Sequence, residues 1–121
     1  MTSTTAANVA HIAAWEQTFN TDIERMVSDL YSPTCVFSGA PLSHEKLLRF
    51  EKRVLAAAPN RRLRVDRTHG VDDVVVAEGV LLDADQGDDW KLPFCAVLTF
   101  ADGKIVSDNT YTDYSRWPGM R

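Results

Sequence analysis

Residues 100–115 read FADGKIVSDNTYTDYS, and the two halves of that stretch differ in chemistry. Phe100 ends one extended run, Ala101-Asp102-Gly103 turns, and Lys104-Ile105-Val106 opens the next, so the stretch is a β-hairpin. From Ser107 to Ser115 the returning strand keeps the strand-formers Thr and Tyr but holds no aliphatic residue. Ordinary core does not look like this. Period-two alternation puts Val106, Asp108, Thr110, Thr112 and Tyr114 on one face, and Ile105, Ser107, Asn109, Tyr111 and Asp113 on the other. The expectation is a strand whose one side wets a ligand cavity while the other meets a partner.

Upstream of the hairpin the chain is extended as far back as residue 63. Leu63-Val65 begins a strand, Gly70-Val71-Asp72-Asp73 is a turn, and Val74 to Leu82 is a long strand. The acidic loop DADQGDD (83–89) leads into a strand from Trp90 to Phe100. Before residue 60 the pattern is helical. Val9, Ile12, Trp15 and Phe19 fall on one face of a helix over Ala6–Phe19. Asp22 starts a second helix with Ile23, Met26, Val27 and Leu30 on its stripe, and Ser32-Pro33 ends it before a short strand at Cys35–Phe37. Gly39-Ala40-Pro41 is a turn. Ser43 caps a third helix that buries Leu47, Leu48, Phe50, Val54 and Leu55 and stops at Pro59-Asn60. Three helices followed by antiparallel strands define an α+β domain, with a sheet that curls around its helices and leaves a cone-shaped space. Residues 1–5 are expected to be disordered, 6–117 to form one domain, and 118–121 to be a tail.

The bulk numbers agree with one globular domain. The chain has 121 residues, of which 45% are hydrophobic and 25% charged, enough for a single core. A net charge of −4 excludes a general affinity for nucleic acid. The one basic cluster, Arg61-Arg62-Leu63-Arg64 with Arg67, is offset by Asp66, Asp72 and Asp73 and reads as a solvated strand edge. No apolar run reaches the roughly 18–20 residues of a membrane helix, and the N-terminus lacks the features of a signal peptide. Cys35 and Cys95 have no metal-ligand spacing, and His11, His44 and His69 suggest no metal. A cytoplasmic protein with reduced thiols and no cofactor is expected.

Two segments carry a family resemblance: AAWEQTFNTDIERMVSDLYSPTCVFSGAPLSHEKLLRF (13–50) and LPFCAVLTFADGKIVSDNTYTDY (92–114). With the order of elements, they resemble the nuclear transport factor 2-like superfamily, and within it the polyketide cyclase (SnoaL-like) group. The resemblance implies a cystatin-like α+β roll, with three N-terminal helices packed on a strongly curved mixed or antiparallel sheet around a cone-shaped cavity. It does not carry over a catalytic set. The base and oxyanion donors of ketosteroid isomerases match Ser38, Trp15 and Cys95; the water-activating triad of limonene epoxide hydrolases matches Gly79, Leu81 and Thr110; the Asp of aldol-type cyclases again matches Thr110.

By the same resemblance, the Asp108 face looks into the cavity. The lining is then Trp15 and Phe19 from the first helix, Ser38, Leu81, Cys95 and Val97 from earlier strands, and Thr110 and Thr112 beside Asp108. Asp108 is the candidate catalyst, because a carboxyl in an apolar cavity is raised toward neutral pH and can move a proton. Trp90, Phe94 and Tyr111 belong to an outer sheet face that pairs with a second copy of the chain. Two functions follow. One is a cofactor-independent isomerase, cyclase, lyase-type enzyme or hydrolase acting on a hydrophobic small molecule. The other is a non-catalytic homodimeric ligand-binding or assembly module.

Overall fold

The computed structural model describes residues 4–120. The part of the expected disordered segment at residues 1–3 and the last residue of the expected tail lie outside the described residues. Thr4 and Thr5 are ordered: the Thr4 hydroxyl accepts from the Ala7 N–H as the cap of helix α1 (Thr5–Thr21), and Thr5 donates to the Asp72 carbonyl. Asn8, Ile12, Trp15 and Phe19 form the buried stripe of α1. The Asp22 side chain caps the short helix α2 (Ile23–Arg25), which continues as a π-helical turn over Met26–Leu30. Helix α3 (His44–Ala57) is capped by Ser43, whose hydroxyl accepts from the Lys46 N–H.

The strands are β1 (Tyr31–Phe37), β2 (Ala40–Ser43), β3 (Arg61–Val71), β4 (Val74–Asp83), β5 (Lys91–Ala101) and β6 (Lys104–Thr112). They form one mixed sheet in the order β2-β1-β6-β5-β4-β3, antiparallel except where β1 runs parallel to β6. The segment expected to be a turn at 39–41 is a hairpin instead: Ser38 (φ 48°) and Gly39 (φ 88°) make a two-residue connection that pairs Phe37 with Ala40. The sheet is not strongly curled. It is bent locally at irregularities in the β1/β6, β3/β4 and β5/β6 pairings, and the helices and the C-terminal segment supply the remaining walls of the cavity.

Two of these irregularities matter for the site. In the β3/β4 pair, Gly79 lies where a Cβ would come within 1.9 Å of the Arg64 carbonyl oxygen, so only glycine fits beside the bulge. In the β5/β6 pair, Thr99 faces Ser107 but Phe100 faces Ile105, leaving Val106 as an extra residue. Both Ile105 and Asp108 are therefore buried, although strict alternation separates them.

Burial alternates along β4 and β5, which gives the sheet a distinct inner face. Val75, Ala77 and Leu81 of β4 and Leu92, Phe94, Ala96, Leu98 of β5 point at the helices. Cys95 and Val97, expected to face the cavity, point the other way, and Phe94, expected outside, points in. The Asp108 face of β6 pairs with even-numbered residues of β5 (Leu98 opposite Asp108, Ala96 opposite Thr110), which reverses the assumed parity. The C-terminal segment is not a free tail. Trp117 is buried and Met120 packs against the core, and Gly119 (φ 84°) sits where a Cβ would come within 2.9 Å of the Ala57 Cβ.

Candidate active site

Sequence forces two partly incompatible groups into one space between the sheet and the helices. The helical stripes and the inner sheet face supply apolar walls, while β6 contributes its carboxyl. The result is a cavity of about 340 Å³, at the small end of the roughly 300–1,000 Å³ usual for small-molecule sites. Trp15, Phe19, Phe94 and Met120 are among its apolar lining. The rings of Trp15 and Phe94 meet edge-on, with centroids 6.3 Å apart.

Asp108, Thr110 and Ser38 line this cavity together with Trp15 and Phe19. The remaining expected lining residues do not. Leu81 is wholly buried in the core, and Cys95 and Val97 lie on the opposite sheet face. The Thr112 hydroxyl donates to the Pro93 carbonyl, 2.8 Å away, along the strand pair.

Asp108 is 5% exposed and is held by a directed chain of neutral donors. The Trp15 indole N–H donates to the Tyr31 hydroxyl oxygen (3.0 Å), and Tyr31 donates to Asp108 Oδ2 (2.9 Å). Thr110 donates to Oδ1 (2.7 Å). An indole N–H has no acceptor lone pair, so the Tyr31 oxygen receives there and its own hydrogen is turned to the carboxylate. Tyr31 is fixed by its place at the start of β1, opposite Ile105, and by stacking on Phe37 at 5.6 Å. Burial pushes the Asp108 carboxyl above its ordinary value; the hydrogen bonds from Thr110 and then Tyr31 pull it part of the way back. Burial also pushes the Tyr31 phenol well up, with the Asp108 charge adding to it. The Cys35 thiol is pushed up to about 12 by burial and then by Asp108, which leaves it a poor nucleophile.

A second polar group faces the same cavity and was not read from the sequence. Arg61, the first residue of β3, is not part of a solvated edge: its side chain is 1% exposed and its Nη2 donates to Glu51 Oε2 at 3.2 Å. Its guanidinium carbon lies 4.1 Å from the centre of the Phe19 ring. Both residues line the cavity. The edge of β3 is pinned by α1, because Asn20 exchanges two hydrogen bonds with the Leu63 backbone and Glu16 accepts from the Val65 N–H. Burial raises the Glu51 carboxyl, with the neighbouring Arg61 charge opposing it, and lowers the Arg61 guanidinium.

Signals for Arg61 and Glu51 existed. Arg61 and Leu63 share a strand face, and Glu51 lies between Leu47 and Val54 on the buried stripe of α3. Tyr31 carried no such signal, because the sequence did not show that β1 starts two residues before Pro33. Among the described residues no group of three His, Cys, Asp or Glu could hold a metal ion, and no helix is long and apolar enough to cross a membrane.

The SnoaL-like domain model matches residues 9–108, and the chain belongs to that family. The fold recurs in solved structures of low identity. Wild-type IdmH from Streptomyces antibioticus, proposed to be a polyketide cyclase, is 18% identical over 91% of this chain and 94% of its own, with a TM-score of 0.79. A hypothetical protein with a ketosteroid isomerase-like fold from Catenulispora acidiphila, in complex with trimethylamine, is 21% identical over 83% of this chain and 82% of its own, TM-score 0.69. Bal32a, from a soil-derived mobile gene cassette, is 14% identical over 97% of this chain and 98% of its own, TM-score 0.79. No curated protein matches the sequence significantly.

Proposed function

We propose that the cavity is a cofactor-independent acid–base site acting on a hydrophobic small molecule, with Asp108 as the group that moves the proton. The observation that carries this reading is a nearly buried carboxyl on the wall of an apolar cavity, hydrogen-bonded to hydroxyls rather than paired with a cation. Such a carboxyl titrates closer to neutral pH, which suits both taking and returning a proton. In its ionised form Asp108 accepts a proton from a carbon beside a ligand carbonyl, and in its protonated form it returns that proton to another position. An isomerisation or a ring closure is the net outcome. Structural neighbours described as a cyclase or as ketosteroid isomerase-like support the class of chemistry, at identities that carry only the fold.

The test is the Asp108 titration followed by carboxyl carbon NMR, with Asp108→Asn to assign the resonance, then turnover of ketones, enones and epoxides. A midpoint well above the ordinary carboxylate range, with turnover falling about 10²–10⁴-fold in Asp108→Asn, is expected. An ordinary midpoint with no turnover leaves a binding module.

That second reading includes pairing of two copies through the outer sheet face. Tyr111 is 63% exposed there and Val36 is also exposed. Sedimentation of the wild type against Tyr111→Glu reads it: a dimer that the variant dissociates supports the pairing, and a monomeric wild type removes it.

A further inference from the structure

Arg61 Nε is buried and has no hydrogen-bond partner among the described residues, although the guanidinium also serves Glu51 through Nη2. An unpaired buried donor costs about 1–3 kcal/mol, and more when it is charged. Groups of this kind in a folded protein call for an occupant. This one belongs to a side chain that lines the cavity. The missing partner is an acceptor, and the surrounding charges narrow its kind. Glu51 already offsets the guanidinium, and Asp108 is a second carboxyl in the same space, so an anionic ligand would meet two carboxyls. A cationic ligand would meet the guanidinium itself. An uncharged oxygen remains.

Position narrows the ligand further. Arg61 comes from edge strand β3 and Asp108 from β6, with β4 and β5 between them. Across the sheet they are three strand spacings apart, about 14 Å, and they are offset along it as well, Arg61 facing Asp83 of β4 while the Asp108 row crosses β4 at Val75. The cavity they share has Trp15, Phe19 and Phe94 in its apolar lining. We propose that the ligand is an uncharged hydrophobic molecule with a carbonyl, ether or hydroxyl oxygen received by Arg61, its reacting end held apart at Asp108. Arg61 is then the residue that fixes which way the molecule lies. This rests on the reading of the cavity as a ligand site, and its test separates from that of Asp108.

Two probes share one carbon skeleton and differ by a carbonyl: 2-tetralone and tetralin. Each is titrated into the protein, following the nitrogen–proton resonance of Arg61 Nε and tryptophan fluorescence. The ketone is expected to shift the Arg61 resonance and to bind about tenfold or more tighter than tetralin, the factor that one hydrogen bond to a charged group supplies. The paired variant Arg61→Met with Glu51→Leu removes both charges together and avoids leaving one stranded. It is expected to keep tetralin binding and lose the preference for the ketone.

Equal affinity of the wild type for the two probes, an absence of binding to both included, overturns the proposal. So does a preference that survives in the paired variant. Turnover of enones and epoxides, compared between wild type and Asp108→Asn, reads the acid–base role by itself. Turnover insensitive to Asp108→Asn sinks that role, while an Arg61 shift produced by 2-tetralone and not by tetralin leaves the anchor standing.

Discussion

Asp108 and Glu51 are two carboxyls facing one cavity, both raised by burial, yet they are held in opposite ways. Glu51 is bound to a guanidinium, and Asp108 to the hydroxyls of Tyr31 and Thr110. A cation beside a carboxylate settles its charge at neutral pH, whereas hydroxyl donors leave the proton exchangeable. The first arrangement is suited to orienting and the second to transfer. The difference also predicts which residues the fold tolerates losing.

The largest effect is expected from breaking the ion pair on one side only. Glu51→Leu strands the Arg61 charge against Phe19 and is expected to cost about 3–5 kcal/mol in urea unfolding. The paired change with Arg61→Met is expected to cost far less. Equal costs for the two would mean that the pair is more solvated than its geometry indicates. At the other carboxyl, Tyr31→Phe leaves the Trp15 N–H without its acceptor and removes one donor to Asp108. A loss of about 1–3 kcal/mol is expected. Because that hydrogen bond lowers the Asp108 midpoint, its removal should move the midpoint further up in the NMR titration. Thr110→Val, close in shape, should move it in the same direction with a loss of about 1 kcal/mol.

The pH dependence sharpens the same contrast. A carboxyl raised in the folded state keeps its proton after the unfolded chain, titrating near 3.9 for Asp, has released its own. Between those two midpoints the folded state binds more protons, so stability falls as pH rises. Asp108 contributes in this sense, from its ordinary value up to its raised one. Asp108→Asn removes that contribution. The stability difference between variant and wild type should therefore shift in the variant's favour as pH rises through this window and level off above it. Thermal melts across the range measure it, and a difference independent of pH would mean that Asp108 is not raised.

Much of the frame was legible from residues alone. The α1 stripe, the Ser43 cap and the Asp102-Gly103 turn are local signals, and local chemistry decides them. Asp108 and Thr110 were legible because polar residues in a late strand have few other reasons to be there. Cys95, Val97 and Phe94 were assigned to the wrong faces, because strand parity follows from pairing across β5 and β6, which no single strand encodes. Arg61 was hidden by its neighbours. Within the run of arginines it shares a strand face with Leu63, but what buries it, Glu51 from α3 and the Phe19 ring, comes from distant parts of the chain. The donors to Asp108 were half legible: Thr110 is two residues away on its own strand, while Tyr31 is 77 residues away and arrives through the parallel β1/β6 pairing.

The extra residue at Val106 has a consequence in genetic terms. Ile105 and Asp108 are buried together only because one residue between them is left over in the pairing. Loss of that single codon would force a choice: keep the hairpin phase and turn the carboxyl to solvent, or keep the carboxyl and expose the isoleucine. A gain of one codon in a plain hairpin of this fold does the reverse. On this scaffold an acid site can thus appear or vanish through one short insertion or deletion, with no residue in the site itself substituted.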